Sequence, residues 1–205
     1  MKQLKISLSV ALIAMLAACS GGGGKKIMVM ASGKIKVSED QKTITFDPGT
    51  THNEKEIDLT GSDKTTLTVK GTPGGDKTYD VNENGHYVLN LKPDTLTGGL
   101  VRYGNTGMPV SLSNELVDHI VDSTQQMMMG QNTSDASKTY FIAPFSLKKI
   151  TGEEGSKIIG PYNNIPYSMD VDKSGKAPEV YKLSTNKQTR QTLENLDKQR
   201  KKAQQ

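Results

Sequence analysis

Short runs of alternating polar and apolar residues, separated by turn-forming clusters, are the feature that most constrains this fold. Such alternation occurs at residues 34–37, 42–46 and 66–70. It gives each run one apolar face and one polar face, as half-buried β-strands require. Turn-forming clusters separate the runs at 38–41, 47–49, 61–63 and 72–76. The region 27–104 is therefore predicted to be a β-rich domain, either sandwich-like or an open barrel.

The clearest local pattern is a predicted β-hairpin. Residues 77–81 and 86–91 would form its strands, and the turn Asn82-Glu83-Asn84-Gly85 would join them. Asn-Gly supplies the positive φ angles that a tight hairpin needs. The stretch from Asp80 to Leu89 resembles a hairpin in carboxypeptidase-regulatory-like sandwich modules, and this resemblance implies a β-sandwich.

Residues 113–129 are predicted to form an amphipathic helix. Ser113 can cap its N terminus, and Gly130 can end it. Its inward arc comprises Leu116, Val117, Ile120, Val121, Thr124, Met127 and Met128. Its polar side comprises Glu115, Asp118, His119, Asp122 and Gln126. We expect this helix to pack on a sheet and to supply part of the core.

The rest of the chain is predicted to add short strands and a second helix. The predicted strands lie within residues 140–150, 157–159, 167–171 and 179–183. The region 105–183 would belong to the same fold or form a second small domain. Thr185 can cap a polar C-terminal helix within 184–205, with Gln188 completing a capping box. Because its only apolar residues are Leu193 and Leu196, this helix is expected to be mostly solvated. The predicted fold class is mainly β, of the α+β type.

The N terminus has the pattern of a secretory signal peptide over residues 1–18. Lys2 and Lys5 precede an apolar stretch that is too short to span a bilayer. The sequence Leu16-Ala17-Ala18-Cys19 resembles the lipobox of bacterial lipoproteins. This resemblance implies cleavage before Cys19, acylation of that residue, and the lipid bilayer as a partner.

The residues after Cys19 bear on localisation. Ser20 stands where an aspartate commonly retains such lipoproteins at the inner membrane, so the resemblance implies the outer membrane. Residues 19–26 are interpreted as the lipidated cysteine and a glycine-rich tether. The body is expected to face the periplasm, with exposure at the cell surface as the alternative. Cys19 is the only cysteine, so no disulfide can form within the chain.

The search for catalytic motifs predicts neither catalytic residues nor a cofactor. The histidines are His52, His86 and His119, and no two have metal-binding spacing on a helix. The sequence contains no nucleophile-elbow motif and no phosphate-binding loop motif. The net charge is +4, and removal of Lys2 and Lys5 with the signal peptide leaves about +2, which is too small to indicate nucleic acid as a partner.

Two stretches match the first half of a calcium loop. They are Asp80-x-Asn82-x-Asn84-Gly85 and Asp170-x-Asp172-x-Ser174-Gly175. Both lack the glutamate at position twelve, where Leu91 and Tyr181 stand. Turns are therefore favoured over ion sites, and no metal is predicted. Met127-Met128-Met129 is interpreted as core packing, and the basic run 198–202 as a solvated helix end.

The function predicted from these features is that of a membrane-anchored envelope lipoprotein of binding or scaffolding type, without catalysis. Its partner would be an unknown protein or glycan. The alternative is a lipid-tethered hydrolase acting on envelope polysaccharide or peptide, with dispersed carboxylates as its catalytic groups.

Overall fold

The computed structural model describes residues 24–59, 64–103, 114–171 and 177–203; at 114–120 and 199–203 it describes the backbone alone. The architecture is mainly β, as predicted, with two helices. The elements in chain order are β1 Lys25–Val37, β2 Thr43–Leu59, β3 Thr65–Lys70, β4 Lys77–Val81, β5 Gly85–Leu91, β6 Leu96–Val101, α1 Asn114–Met128, β7 Thr139–Ile142, β8 Ser146–Thr151, β9 Lys157–Ile159, β10 Val180–Thr185 and α2 Asn186–Ala203.

The first sheet has the strand order β4-β3-β2-β1-β5-β8 and curls into an open barrel. The connection from Val81 to Gly85 can span about 14 Å at most. In a flat sheet, β4 and β5 would lie four strand spacings apart, or about 19 Å. The short connection therefore requires a curled sheet, which brings the edge strands β4 and β8 towards each other.

Apolar side chains on the concave face of this sheet form the inner core. β1 contributes Ile27, Val29 and Ala31, which alternate along the strand as expected. The other buried members are Ile44, Phe46, Ile57, Leu59, Leu67, Val69, Val81, Tyr87, Leu89 and Leu91.

The second sheet covers part of the outer face of the first. Its strand order is β7-β6-β10-β9. A second core lies between the layers and contains Met30, Val88, Leu96, Tyr140, Ile142, Ile150, Tyr181 and Leu183. β5 is buried along its whole length because it has a core on each face. The result combines the barrel-like and sandwich-like features that the strand pattern predicts.

The helix ends follow their predicted chemistry where the structure describes them. Gln188 N–H donates to the Thr185 hydroxyl at 3.2 Å, and Thr185 N–H donates to the Gln188 side chain at 3.1 Å. This is the predicted capping box of α2. α1 ends at Met128, and the predicted terminator Gly130 follows two residues later with a φ of 73°.

From residue 121 onward, the exposure of the α1 side chains agrees with the predicted inward arc at most positions. Val121, Thr124, Met127 and Met128 are half-buried, and Asp122 is exposed, as the predicted arc requires. Gln126, placed on the polar side, is also half-buried. Ser113 and the side chains of Leu116, Val117 and Ile120 lie outside the described residues.

The predicted hairpin between residues 77–81 and 86–91 is wrong in its pairing, although both strands exist. β4 pairs with β3, whereas β5 pairs with β1 and β8. β5 is buried on both faces and lies inside the first sheet with a core on each side. β4 alternates and forms an edge.

The predicted turn at 47–49 is also wrong, because these residues lie within β2. Gly33 pairs with Pro48, whereas Ser32 pairs with His52, so β2 bulges between these two partners. Gly33 has a φ of 134°, and a Cβ there would overlap the Asp47 carbonyl. A bulge bends both strands without ending either of them.

The predicted tether over residues 19–26 is too long at its C-terminal end. β1 begins at Lys25, which is fully buried, so the tether extends no further than residue 24. The strand predicted at residues 167–171 is absent, and the side chains of Tyr167 and Val171 are exposed.

The two predicted regions, before and after residue 104, share both sheets. β8 pairs with β5 in the first sheet, and β10 pairs with β6 in the second. The predicted turn at 61–63 lies outside the described residues.

Candidate functional site

A cluster of polar groups forms where the bulge of β1 and β2 meets the segment between β9 and β10. We call it the polar junction, and it consists of Ser32, His52, Glu54, Lys92 and Tyr162. Ser32 and His52 are register partners next to the bulge. His52 and Glu54 share one face of β2, because side chains two apart on a strand point the same way. Lys92 directly follows β5.

Glu54 attaches the β9–β10 segment to the first sheet. One carboxylate oxygen lies 2.7 Å from His52 Nε2, and the other accepts a 2.5 Å hydrogen bond from Asn163 Nδ2. The carboxylate lies directly on Gly160, where a Cβ would overlap it. Only glycine leaves room for this contact, so the backbone at 160–163 is held against β2.

His52 is packed beneath Tyr162. The ring centroids are 4.3 Å apart, and Nδ1 of His52 is buried without a hydrogen-bond partner. Burial lowers the pKa of His52 below its ordinary value, and the positive charge of Lys92 lowers it further. The hydrogen bond with Glu54 opposes this change but does not cancel it.

Lys92 is a buried cation in the same cluster. Its ammonium donates to the Ala31 carbonyl at 3.2 Å and to the Ser32 hydroxyl at 3.3 Å. It also lies 5.6 Å from the centre of the Tyr162 ring. The side chain is 3% exposed, and this burial lowers the pKa of Lys92.

A cavity of about 660 Å³ lies between residues 161–165 and α2. We call it the amide-lined cavity. The amide side chains that line it are Asn163, Asn164, Gln188, Gln191 and Asn195. Of the described residues that line it, Lys182 alone is charged. Tyr162 stands at its edge and is 61% exposed, although the same ring covers His52 and Lys92.

The walls of this cavity are fixed to one another. Lys182 donates to the Gly160 carbonyl at 2.6 Å and to the Asn163 carbonyl at 2.7 Å. Gln188 Nε2 donates to the Pro161 carbonyl at 3.1 Å. These bonds join β10 and α2 to the 160–163 segment, so the cavity is a preformed feature of the fold. Burial lowers the pKa of Lys182.

The described residues of the two half calcium loops are not grouped as ion ligands. Asp80 is bound by Lys64 at 2.9 Å and by the Thr66 hydroxyl at 3.0 Å, and these bonds lower its pKa. Asp170 lines a different cavity, together with Glu153, Glu154 and Glu179. Asp172, Ser174 and Gly175 lie outside the described residues. Within the described ranges, no three His, Cys, Asp or Glu side chains are grouped as a metal site.

The remaining candidates are dispersed. His86 is buried, and this burial lowers its pKa. The side chain of His119 and the whole of Cys19 lie outside the described residues. Glu179 accepts hydrogen bonds from Lys138, Tyr181 and Thr151, which lower its pKa despite its burial. It therefore serves as a structural acceptor between strands.

Sequence reasoning missed both the polar junction and the amide-lined cavity. A usable signal was the i, i+2 spacing of His52 and Glu54, which places two polar side chains on one face of a strand. This signal was missed because the predicted turn at 47–49 ended the strand before His52 and Glu54. The run Tyr162-Asn163-Asn164 was a second signal, an aromatic followed by two amides in a proline-flanked loop.

The chain was compared with protein-family models, curated proteins and solved structures, and no match was found in any of the three comparisons. Neither described helix has an apolar window long enough to cross a bilayer.

Proposed function

We propose that this chain is a membrane-anchored envelope lipoprotein whose folded body binds a partner without catalysing a reaction. The observation that carries the binding half of this proposal is the amide-lined cavity. Its volume of about 660 Å³ lies in the range of roughly 300–1,000 Å³ that is usual for ligand sites. The sequence Leu16-Ala17-Ala18-Cys19 supports the anchoring half.

The contacts of the polar junction support a binding role rather than a catalytic one. His52 and Glu54 are engaged in holding the 160–163 segment in place, and Lys182, outside the junction, holds it from β10. Their effect is to position Tyr162 and Asn163 at the edge of the cavity. A rigid site of this kind binds well because little conformational entropy is lost on binding.

A second candidate function is that of a lipid-tethered hydrolase. It is favoured by the 3.3 Å contact between Ser32 and Lys92, since a buried lysine with a lowered pKa can act as the base for a serine nucleophile. However, neither residue lines the amide-lined cavity, and Tyr162 covers Lys92. A substrate in that cavity would not meet the serine, so we favour binding.

Anchoring is tested by the intact mass of the chain purified from membranes. The wild type is expected to begin at Cys19 and to carry added acyl mass, whereas Cys19→Ala should remain an uncleaved, unlipidated precursor. A mature wild-type chain without lipid would contradict the anchor.

Binding is tested by a photo-crosslinking residue placed at Gln191 in the full-length chain in native membranes. Gln191 lines the cavity, whereas Lys187 is exposed on the same helix but does not line it. Crosslinks are expected at position 191 and not at 187. Equal crosslinking at both positions would contradict the cavity as the binding site.

The hydrolase alternative is tested by the release of soluble fragments from purified envelope polymer. We expect no release by the wild type. Release that is abolished in Ser32→Ala and retained in Ser38→Ala would establish the alternative instead.

A further inference from the structure

We propose that the amide-lined cavity takes an uncharged oligosaccharide that carries acetamido groups, with Tyr162 as its stacking platform. This inference rests on the proposed function for the location of the ligand, because envelope polymers are the glycans that an anchored body would meet. The chemistry itself is argued from the cavity.

The first argument is the hydrogen-bonding character of the lining. An amide side chain both donates and accepts, and so do sugar hydroxyls and acetamido groups. Asn164, Gln191 and Asn195 line the cavity, and no described group forms a hydrogen bond with their side chains. Their donors and acceptors are therefore available to a ligand. An acetamido group can bind two such side chains at once, because its N–H donates to one amide oxygen while its C=O accepts from the N–H of another.

The second argument is charge. Among the described residues that line the cavity there is no carboxylate, and the one cation, Lys182, already donates to two backbone carbonyls. A highly charged ligand would find little to neutralise it in this cavity. A neutral ligand leaves the two Lys182 bonds intact, which keeps the 160–163 segment in place.

The third argument is the aromatic surface. Tyr162 is 61% exposed, and its ring is held by His52 and by Lys92. A ring fixed in this way offers its accessible surface to the flat, apolar C–H face of a sugar without losing rotamer entropy. Ile165 also lines the cavity and is 39% exposed, which provides an apolar contact for the acetamido methyl group.

A peptide is the competing class of ligand for a cavity with polar lining. An extended peptide gains affinity by adding to a sheet edge, where its backbone groups pair with a strand. The cavity instead lies between a loop and α2, and its available groups are side-chain amides. These features favour a ligand that is recognised by its hydroxyl and acetamido groups.

The test is calorimetric titration of the full-length chain, solubilised in a detergent without a sugar headgroup. The probes are chitotetraose and cellotetraose, which share the same backbone linkage and differ in their acetamido groups. We expect chitotetraose to bind roughly tenfold more tightly than cellotetraose, a difference of about 1.4 kcal/mol. Absence of chitotetraose binding would overturn the proposal, and equal binding of the two sugars would overturn the acetamido assignment.

Variants locate the site. Tyr162→Ala should weaken chitotetraose binding by about tenfold or more, whereas Tyr167→Ala should leave it unchanged, because Tyr167 is exposed but lies outside the cavity. The double variant Gln191→Ala/Asn195→Ala, on the exposed side of α2, should also weaken binding without unfolding the chain. Chitotetraose binding that survives Tyr162→Ala and the double variant would overturn the site.

The glycan proposal and the proposed function can fail independently of each other. Crosslinking at position 191 to a partner other than glycan, with no chitotetraose binding, would overturn only the glycan. Chitotetraose binding by a chain without lipid would overturn only the anchor.

Discussion

The Tyr79 hydroxyl donates a 2.8 Å hydrogen bond to the Phe145 carbonyl, and this bond joins the two edges of the first sheet. Tyr79 lies on β4, and Phe145 directly precedes β8. Lys77 strengthens the same contact, since its ammonium lies 5.5 Å from the centre of the Phe145 ring. The seam between β4 and β8 is therefore closed by side chains where no strand ladder joins them.

Removing this hydrogen bond should loosen the seam. Tyr79→Phe is expected to lower the free energy of unfolding by about 0.5–1.5 kcal/mol, because the Phe145 carbonyl loses its partner and the ring remains. Tyr167→Phe is the matched control, since Tyr167 is exposed. Urea titrations followed by circular dichroism measure both variants. Equal stability of the two variants would show that the seam does not depend on the hydroxyl.

Gly85 should be far less tolerant of substitution than Gly74. Both have positive φ angles, 140° and 102°. A Cβ on Gly85 would lie 2.5 Å from the Thr151 carbonyl, whereas a Cβ on Gly74 would meet nothing within 4 Å. Gly85→Ala is therefore expected to cost about 1–3 kcal/mol more than Gly74→Ala. Thermal melts of the two variants give the comparison, and equal melting temperatures would contradict it.

Acidification should destabilise the fold through His52. Its pKa is lower in the folded chain than the ordinary 6.5, because burial and Lys92 outweigh Glu54. As the pH falls through 6.5, the unfolded chain therefore binds more protons, and the free energy of unfolding decreases. His86 acts in the same direction, through burial and the charge of Lys26.

The pH effect is measured by denaturant titrations of the wild type and His52→Gln between about pH 7.5 and 5. We expect the wild type to lose more stability than the variant over this window. The carboxylates with lowered pKa values, Asp80 and Glu179 among them, act at lower pH because their ordinary values are 3.8 and 4.5. Parallel curves for the two proteins would exclude His52 as the source.

Calcium should not stabilise the chain through Asp80. Its carboxylate is occupied by Lys64 and Thr66, and the segment after it connects β4 to β5 rather than wrapping an ion. Melting temperatures of the wild type and Asp80→Ala, each with and without millimolar calcium, should show no calcium effect. A rise of many degrees that disappears in Asp80→Ala would establish an ion site.

The alternation of residues was sufficient to predict most strands but not their partners. Residues 86–91 alternate little, and the local Asn84-Gly85 pair indicated a hairpin with residues 77–81. In the fold, β5 instead pairs with β1, some 60 residues earlier, and with β8, some 60 residues later. Such pairing depends on which faces of a strand must be buried, and a local turn signal carries no information about it.

The sequence carries signals of the two halves of the candidate site, but for the same reason it does not show that they meet. Glu54 and Asn163 are 109 residues apart, and they meet because the fold places β2 against the β9–β10 segment. By contrast, the capping box of Thr185 and Gln188 involves residues three apart, and it was predicted correctly. Contacts set by helix geometry are local, whereas this site is built by the curling of a sheet.

The burial of β5 on both faces has a consequence for how the protein unfolds. Tyr87, Leu89 and Leu91 belong to the inner core, and Val88, between them, belongs to the core between the sheets. Detaching the second sheet would therefore uncover β5, and opening the barrel would do the same from the other side. We therefore expect neither layer to be stable alone, so the two should melt in a single cooperative transition. The backbone amides of β5 should be among the last to exchange with solvent deuterium.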